Sequence, residues 1–321
     1  MRLRWAVNVG AWEPSPSEFD FLIGLIRDDG DRASVLRYRL VEDRRRALVS
    51  RLLQLAACRR AFGVPNDEVR LERTKGGKPF AKEPHLRPAT APNFNFSVSH
   101  EGSYVVLASE PLCLVGVDVA APQELRPGRR STASELLKTF RGQLTPQESS
   151  TISAIAESSG DKDALRAFQD VWSLKEAYAK ALGLGLACDL TEVSFEGAIA
   201  EPRSMGRAIR VVKTRFRGRQ ASALSKAPGA SSGGRKPHAP WTFHLHALPG
   251  FHAVAVARGP PSAAVDAYGA FRNTFREPDP LRESLETALR EPEPPFALLT
   301  VSDLVPEDMH GQYEDAGGEI V

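Results

Sequence analysis

Glu176 and Lys180 stand four residues apart in the run WSLKEAYAKALGLGL, residues 172–186. On a helix that spacing sets them one turn apart, on the face shared with Trp172. Glu placed N-terminal to Lys is also the orientation of an ordinary surface ion pair, worth about 0.2–0.5 kcal/mol. The same two groups can instead hold ligands, the carboxylate a cation and the ammonium a phosphate oxygen. A second carboxylate stands in LVGVDVA. Strand alternation puts Val115, Val117 and Val119 on one face and Gly116 with Asp118 on the other. Asp suits a strand interior poorly. Unless it ends the strand on a solvated face, it needs a metal, an arginine or backbone N–H partners. Oxygen donors with few carboxylates suit Mg²⁺, which also takes substrate phosphates and water.

Arg73-Thr74-Lys75-Gly76-Gly77-Lys78-Pro79 sets three cations within six residues. Its glycines let a backbone approach a ligand closely. The spacing is not that of a Walker A loop, and no Ser or Thr follows the lysine. Arg offers a bidentate fork and Lys a point charge, so the loop reads either as a phosphate grip or as a solvated turn. His100 closes the stretch Ser97-Val98-Ser99-His100 and stands before Glu101-Gly102, at the end of an expected strand.

The elements that must position these groups follow from pattern. A strand is expected at Trp5 to Val9 and a helix at about 17–27. A long helix is expected over Val41 to Phe62, where Ala47, Leu48, Leu52, Leu55 and Ala56 keep helical spacing, the other face carries most of the arginines, and Gly63 and Pro65 end it. Val69 to Glu72 reads as a short strand, NFNFSVSH as a strand ending at His100, and SYVVLAS and CLVGVDV as a hairpin turning at Glu110-Pro111. A helical region is expected near 131–139. Thr145-Pro146-Gln147-Glu148 is a capping box, and the helix carrying Glu176 starts near Asp161 and stops at Gly183 and Gly185. Later strands are expected at 192–195, 208–213, 242–247 and 252–257. Residues 217–240 hold few large apolar groups and read as a disordered insertion. Residues 261–321 read as a polar, Pro-rich tail whose one apolar segment, FALLTVSDLV, docks on the core.

The chain of 321 residues is 42% hydrophobic and 26% charged, enough for a sizeable core in one or two domains. A net charge of +2 says little about partners. Its distribution says more, with a basic stretch from Arg27 to Arg60 and acidic stretches at 277–293 and 307–319. Cys58, Cys113 and Cys188 form neither a zinc pattern nor an even disulfide set, which suits a reducing compartment. The N-terminus lacks a signal-peptide pattern, and no apolar run approaches the ~20 residues of a membrane span. The sequon at Asn95 is therefore expected to be idle.

In order and spacing, RTKGGKP, FNFSVSHEGSY, VGVDVA and WSLKEAYAKALGLGL together resemble the 4′-phosphopantetheinyl transferases, in particular the large monomeric surfactin-synthetase and aminoadipate-semialdehyde dehydrogenase type. The resemblance covers about residues 1–260. It implies an α+β fold of two similar halves related by a pseudo-twofold axis, each a small antiparallel sheet packed on a long helix. The halves would be 1–115 and 116–260, followed by the tail. It implies transfer of 4′-phosphopantetheine from coenzyme A to a serine of an apo acyl or peptidyl carrier protein, with Mg²⁺, by a cytoplasmic monomer that binds neither nucleic acid nor membrane. Glu176 would be metal ligand and general base, Asp118 a metal ligand, and Lys180 the holder of a CoA phosphate. Arg73, Lys75, Gly77, Lys78 and Pro79 would grip CoA, with Ser99 and His100 at its phosphates and His100 adding a catalytic donor. Bacterial members carry an acid two residues after the aspartate. Ala120 stands there, so Glu101 is the expected third ligand. A basic CoA contact is implied where Ser34 stands, between Arg32 and Arg37. The rival readings are a Mg²⁺-dependent nucleotide phosphodiesterase, a non-catalytic CoA- or carrier-binding module, and nucleic-acid binding through the basic helix.

Overall fold

In a computed structural model, the structure describes residues 1–122, 131–185, 188–195, 198, 210–212, 214–216 and 240–321. The chain opens with β1 (Arg4–Asn8), then α1 (Pro16–Gly24), α2 (Asp29–Leu36) and α3 (Val41–Phe62). β2 (Leu71–Arg73), β3 (Pro79–Ala81), β4 (Asn95–Glu101), β5 (Tyr104–Glu110) and β6 (Leu114–Ala120) follow. Next come α4 (Ala133–Thr139), α5 (Pro146–Ser159), α6 (Asp161–Leu182), and the short strands β7 (Val193–Ser194), β8 (Arg210–Val211) and β9 (Arg215–Phe216). β10 (Thr242–Leu248) and β11 (His252–Gly259) lead to α7 (Arg282–Arg290), β12 (Ala297–Leu299) and α8 (His310–Asp315).

The long helices fall where the apolar spacing places them. In α3, Leu48, Leu52, Leu55 and Ala56 are buried, and the helix ends at Gly63 in left-handed backbone, φ 70°. It packs on β4 and β5, with Phe94, Phe96, Val105 and Leu107 in the same core. α6 packs on β6 and β11, and its Leu174, Ala177, Tyr178 and Ala181 share a second core with Phe243, Ala255 and Ala257. The expected capping box heads α5: the Thr145 side chain accepts from the Glu148 N–H, and the Glu148 carboxylate accepts from the Thr145 N–H. α2 has no counterpart among the expected elements, because eight mostly polar residues carry little periodicity.

Two four-stranded sheets form, in the orders β12-β1-β5-β4 and β6-β11-β10-β8. This corrects the expected hairpin at Glu110-Pro111. β5 pairs with β1 and β4, while β6 pairs with β11 in the other sheet. Both edges of β5 are taken, so the chain crosses between sheets at Pro111. The hairpin that does form turns at Gly102-Ser103, between β4 and β5. The first sheet is also not purely antiparallel, since FALLTVSDLV supplies β12, parallel to β1 with Trp5 opposite Ala297. Strands 242–248 and 252–259 lie where expected. The insertion at 217–239 lies outside the described residues, as do Leu186 and part of the strand expected at 208–213.

Where the sheets meet, side chains replace backbone pairing. Asn95 Oδ1 accepts from the Val115 N–H at 3.1 Å and Ser97 Oγ from the Val117 N–H at 3.1 Å. Ser99, next in that alternation, reaches Asp118. The polar residues at every second place of β4 are thus the seam between the sheets. Behind the seam lies a buried ion cluster. Arg4 binds Glu110 at 2.6 Å and also Glu293, which follows α7, while Arg258 of β11 lies 2.9 Å from Glu110. Arg2 adds a third guanidinium 3.1 Å from Glu110, so both buried carboxylates are matched by cations.

Candidate active site

Asp118 lies on the face of β6 that meets α6, as alternation requires, while Val115, Val117 and Val119 pack against Ala6, Tyr104 and Val106. Gly116 makes the meeting possible: a methyl group there would sit 1.9 Å from the Ala177 carbonyl oxygen. The helix is therefore seated directly on the strand, and Lys180 reaches across. Its Nζ donates to Asp118 Oδ1 at 2.6 Å and to Ser99 Oγ at 2.8 Å, and Ser99 Oγ donates to Asp118 Oδ1 at 2.8 Å. Ser99, Asp118 and Lys180 come from β4, β6 and α6, so both sheets and the helix meet at one point. Among the described residues no ion pair joins Glu176 to Lys180. Glu176 faces the same group half-buried, and burial, then the Asp118 charge, raises its pKa against the pull of Lys180.

The basic loop joins β2 to β3. Arg73 and Lys75 are exposed, and Arg73 lies close enough to Arg51 to be repelled by it. Lys78 is different. It is 4% exposed, and its Nζ donates to the carbonyl oxygens of Val115 at 2.7 Å and Lys180 at 3.3 Å. Burial pushes its pKa down to about 7. The ammonium ties the loop to β6 and to the end of α6. At Gly76 a methyl would fall 1.8 Å from the Gly183 carbonyl oxygen, so the loop rests directly on the cap of α6. Pro79 starts β3, and Gly77 takes left-handed backbone, φ 85°, in the turn.

His100 keeps an exposed edge, yet the atoms packed round it push its pKa down to about 4, helped by Lys180, Arg46 and Arg51 against Asp43. Arg46 and Arg51 are residues that sequence reasoning did not single out. Arg46 donates to the Gly102 carbonyl at 2.9 Å, and Arg51 binds Asp31 at 2.7 Å. Arg51 Nη2 also approaches Ser34 Oγ at 3.4 Å. The guanidinium beside Ser34 therefore belongs to Arg51. Arg32 pairs with Asp29, and Arg37 lies 5.9 Å from the Tyr38 ring. Their signal was the seven-residue step from Arg44 to Arg51 around Arg46, hidden in a helix that is basic on several sides. A recess of about 450 Å³ beside Arg51 is lined also by Asp31, Arg70, Glu72 and Lys82. Lys175, next to Glu176, is wholly buried. It binds Glu148 at 2.9 Å and the carbonyls of Leu190 and Val193. Trp172 packs at 4.4 Å on Phe140 and parallel to Phe168.

Glu101 Oε2 accepts from the Ala121 N–H at 2.8 Å. Among the described residues no group of three or more His, Cys, Asp or Glu is gathered for a metal ion. Asp118 and Glu176 nevertheless fit a hard divalent cation. Their charges oppose each other, their donors are all oxygen, and the Lys180 ammonium already sits on Asp118 as a cation does. Two carboxylates leave places for phosphate and water.

Two family models cover most of this arrangement. The model described as 4′-phosphopantetheinyl transferase, N-terminal, matches residues 10–112, and that of the 4′-phosphopantetheinyl transferase superfamily matches residues 114–227. The L-aminoadipate-semialdehyde dehydrogenase-phosphopantetheinyl transferase of Rattus norvegicus is 33% identical over 194 residues, 60% of this chain and 60% of its own length. A phosphopantetheinyl transferase of Thraustochytrium sp. is 36% identical over 193 residues, 60% of this chain and 64% of its own length. The 4′-phosphopantetheinyl transferase of Paxillus involutus is 32% identical over 179 residues, 53% of this chain and 64% of its own length. The match therefore spans about three fifths of each relative.

Proposed function

Because the chain belongs to the 4′-phosphopantetheinyl transferase superfamily, we propose that it moves 4′-phosphopantetheine from coenzyme A to a serine of an apo acyl or peptidyl carrier protein. The observation that carries this reading is the convergence of Ser99, Asp118 and Lys180, with Glu176 facing them, and with Arg46 and Arg51 acting on the neighbouring His100. Arg73, Lys75, Arg46 and Arg51 bring positive charge to the nucleotide phosphates, and the recess by Arg51 offers room for the adenosine end. His100, neutral at pH 7, offers a ring donor and gains basicity when an anion arrives.

Asp118 and Glu176 would hold Mg²⁺, with Glu101 as a third oxygen donor. When bound, the ion supplies neutralising charge to the pyrophosphate and its leaving group. Lys180 holds a phosphate oxygen. Glu176, whose basicity is raised by burial and by Asp118, takes the proton of the acceptor serine. A bond forms between the serine oxygen and the phosphorus next to pantetheine. The bond from that phosphorus to the bridging oxygen breaks, and adenosine 3′,5′-bisphosphate leaves. Positioning both substrates in one cleft supplies most of the acceleration.

The two sheets, each packed on a 22-residue helix, support halves related by a pseudo-twofold axis, with domain limits near 115 and 260. Lys78 serves in this reading as the tie beneath the CoA loop. Among the described residues no helix is long and apolar enough to cross a membrane, and the cysteines are free thiols. The free thiols support a cytoplasmic protein, proposed here as a monomer.

Intact mass of an apo carrier domain, incubated with this protein, CoA and Mg²⁺, tests the reading. A gain of about 340 Da with release of adenosine 3′,5′-bisphosphate is expected from the phosphoryl chemistry. The same nucleotide released without a carrier would instead mark a phosphodiesterase. CoA binding with no transfer to any of several carriers would mark a binding module.

A further inference from the structure

Glu101 ends β4, and the turn that follows it, Gly102-Ser103, is fastened from several sides. The Ser103 carbonyl accepts from the Val9 N–H, just past β1, at 2.8 Å. The Gly102 carbonyl accepts from Arg46 of α3 at 2.9 Å. Two further fastenings come from the second half of the chain. His252, at the start of β11, accepts from the Ser103 N–H at 3.3 Å through Nε2. Its Nδ1 lies 3.1 Å from the Pro249 carbonyl oxygen, which can only accept. Nδ1 therefore carries the proton and Nε2 the lone pair. The ring is 1% exposed and stands edge-on to Tyr104, 4.9 Å between centres, which fixes its direction. The second of these fastenings is the Ala121 N–H, donated to Glu101 Oε2 at 2.8 Å.

Ala121 lies just past β6, beyond the last pairing of that strand with β11 at Ala120. Its carbonyl oxygen is taken by Gln169 of α6, a buried side chain whose Nε2 donates to it at 2.9 Å. Gln169 stands about two turns before Glu176 on the same face of the helix. The helix that presents Glu176 thus also sets the peptide that holds Glu101. The contact is close as well as polar. A methyl at Gly102 would sit 2.6 Å from both the Ala121 methyl and His252 Nε2, so the turn rests directly on these two residues.

We propose that Gln169 and His252 are positioning residues for the cation site, holding the Glu101 carboxylate where it can share a divalent ion with Asp118 and Glu176. This rests on the transferase reading above for the ion and for Glu101 as its third oxygen donor. Neither side chain touches CoA, the ion or the acceptor serine in that reading. Each acts through the turn, so the ion's affinity depends on them and the affinity for CoA does not.

Gln169→Met keeps the length of the side chain and loses the donor. His252→Leu loses the acceptor, and His252→Gln restores one near the place of Nε2. Mn²⁺ binding to the CoA-loaded full chain is counted by electron paramagnetic resonance, CoA affinity by calorimetry without metal, and folding by Tm. Mn²⁺ affinity should fall about 10–100-fold in Gln169→Met and in His252→Leu, the usual cost of losing a partner behind a metal ligand, and recover in His252→Gln. CoA affinity should not change. In a Glu101→Ala background neither substitution should weaken Mn²⁺ further, because the effect runs through that carboxylate. Parent-like Mn²⁺ affinity in both variants overturns the assignment. The same loss with and without Glu101 also overturns it, whatever the Tm, since a merely structural role adds to the loss of Glu101. If wild type transfers and Glu101→Ala binds Mn²⁺ like the parent, the positioning role falls while the transferase reading stands. If wild type binds CoA and Mn²⁺ yet modifies none of several carriers, the transferase reading fails, and the Mn²⁺ cycle alone decides the positioning role.

Discussion

Glu176 and Arg51 separate two kinds of work at the level of single side chains. In the proposed transfer Glu176 accepts a proton, a role supported by a pKa that burial and Asp118 raise. Glu176→Gln keeps the shape and loses the base. Turnover should fall about 10²–10⁴-fold, the usual worth of a positioned general base, with the Tm unchanged. Near-normal turnover in single-turnover assays would remove Glu176 from its role. In the same proposal Arg51 binds CoA, and Asp31 holds its fork beside Ser34. Arg51→Ala should weaken CoA by roughly 1.5–3 kcal/mol, the range of a charged hydrogen bond, and leave the carrier KM alone. Calorimetry showing parent-like affinity would refute it. The motif residues Asp118, Glu176 and Lys180 could be picked from sequence because a carboxylate in a strand and a helical Glu–Lys step are local oddities. Arg51 could not, since one arginine among many on a helix shows its direction only once α2 is packed beside it.

Helices and strands meet here at places where a side chain would be in the way. β6 lies so close to α6 that Gly116→Ala would drive a methyl into the Ala177 carbonyl and the Ala181 amide. Some backbone must move, at a cost of about 1–3 kcal/mol. The movement separates Asp118 from Lys180, so turnover should fall more than stability does. Urea unfolding and turnover measured on one preparation check this, and parent-like values for both would show that the contact is soft. Long helices with regular apolar spacing, such as α3 and α6, were legible because their pattern lies within the helix itself. Strand partners were not. β5 and β6 look like a hairpin from their sequence, yet which neighbour a strand takes depends on residues far along the chain, here β1 and β11.

Across the whole molecule, charge is buried where the two sheets and the last segment meet. His244 and His246 sit near Glu293, whose carboxylate is held ionised against burial by the His246 hydrogen bond and by Arg4, and burial keeps both rings neutral. His100 and His252 are pushed the same way. In the unfolded chain these rings take up protons near pH 6.5. Between that pH and the lower folded values the unfolded state binds more protons, so stability falls as pH falls. Glu293 adds to the loss further down, since its folded pKa lies below its unfolded one. Tm should therefore decline steadily from pH 7 to pH 4. His246→Gln should flatten the upper part of that decline, and an unaltered slope would exclude it as a contributor. The tail's part in this was only half visible. FALLTVSDLV showed an apolar segment able to dock, but a lone glutamate in an acid-rich stretch gives no sign that it will be buried between two arginines.

Trp5 lies opposite Ala297 in the first sheet. A ribosome adding about 5–20 residues per second needs roughly a quarter of a minute to a minute to travel between them. Throughout that interval the outer edge of β1 has no strand to pair with, and Glu293 has not emerged to meet Arg4 and Arg258. A nascent chain of this protein therefore carries an open sheet edge and unbalanced buried guanidiniums until Glu293 and β12 have been made. Molecules stalled or truncated before β12 should be found with chaperones or proteases, and not in the pool of folded protein.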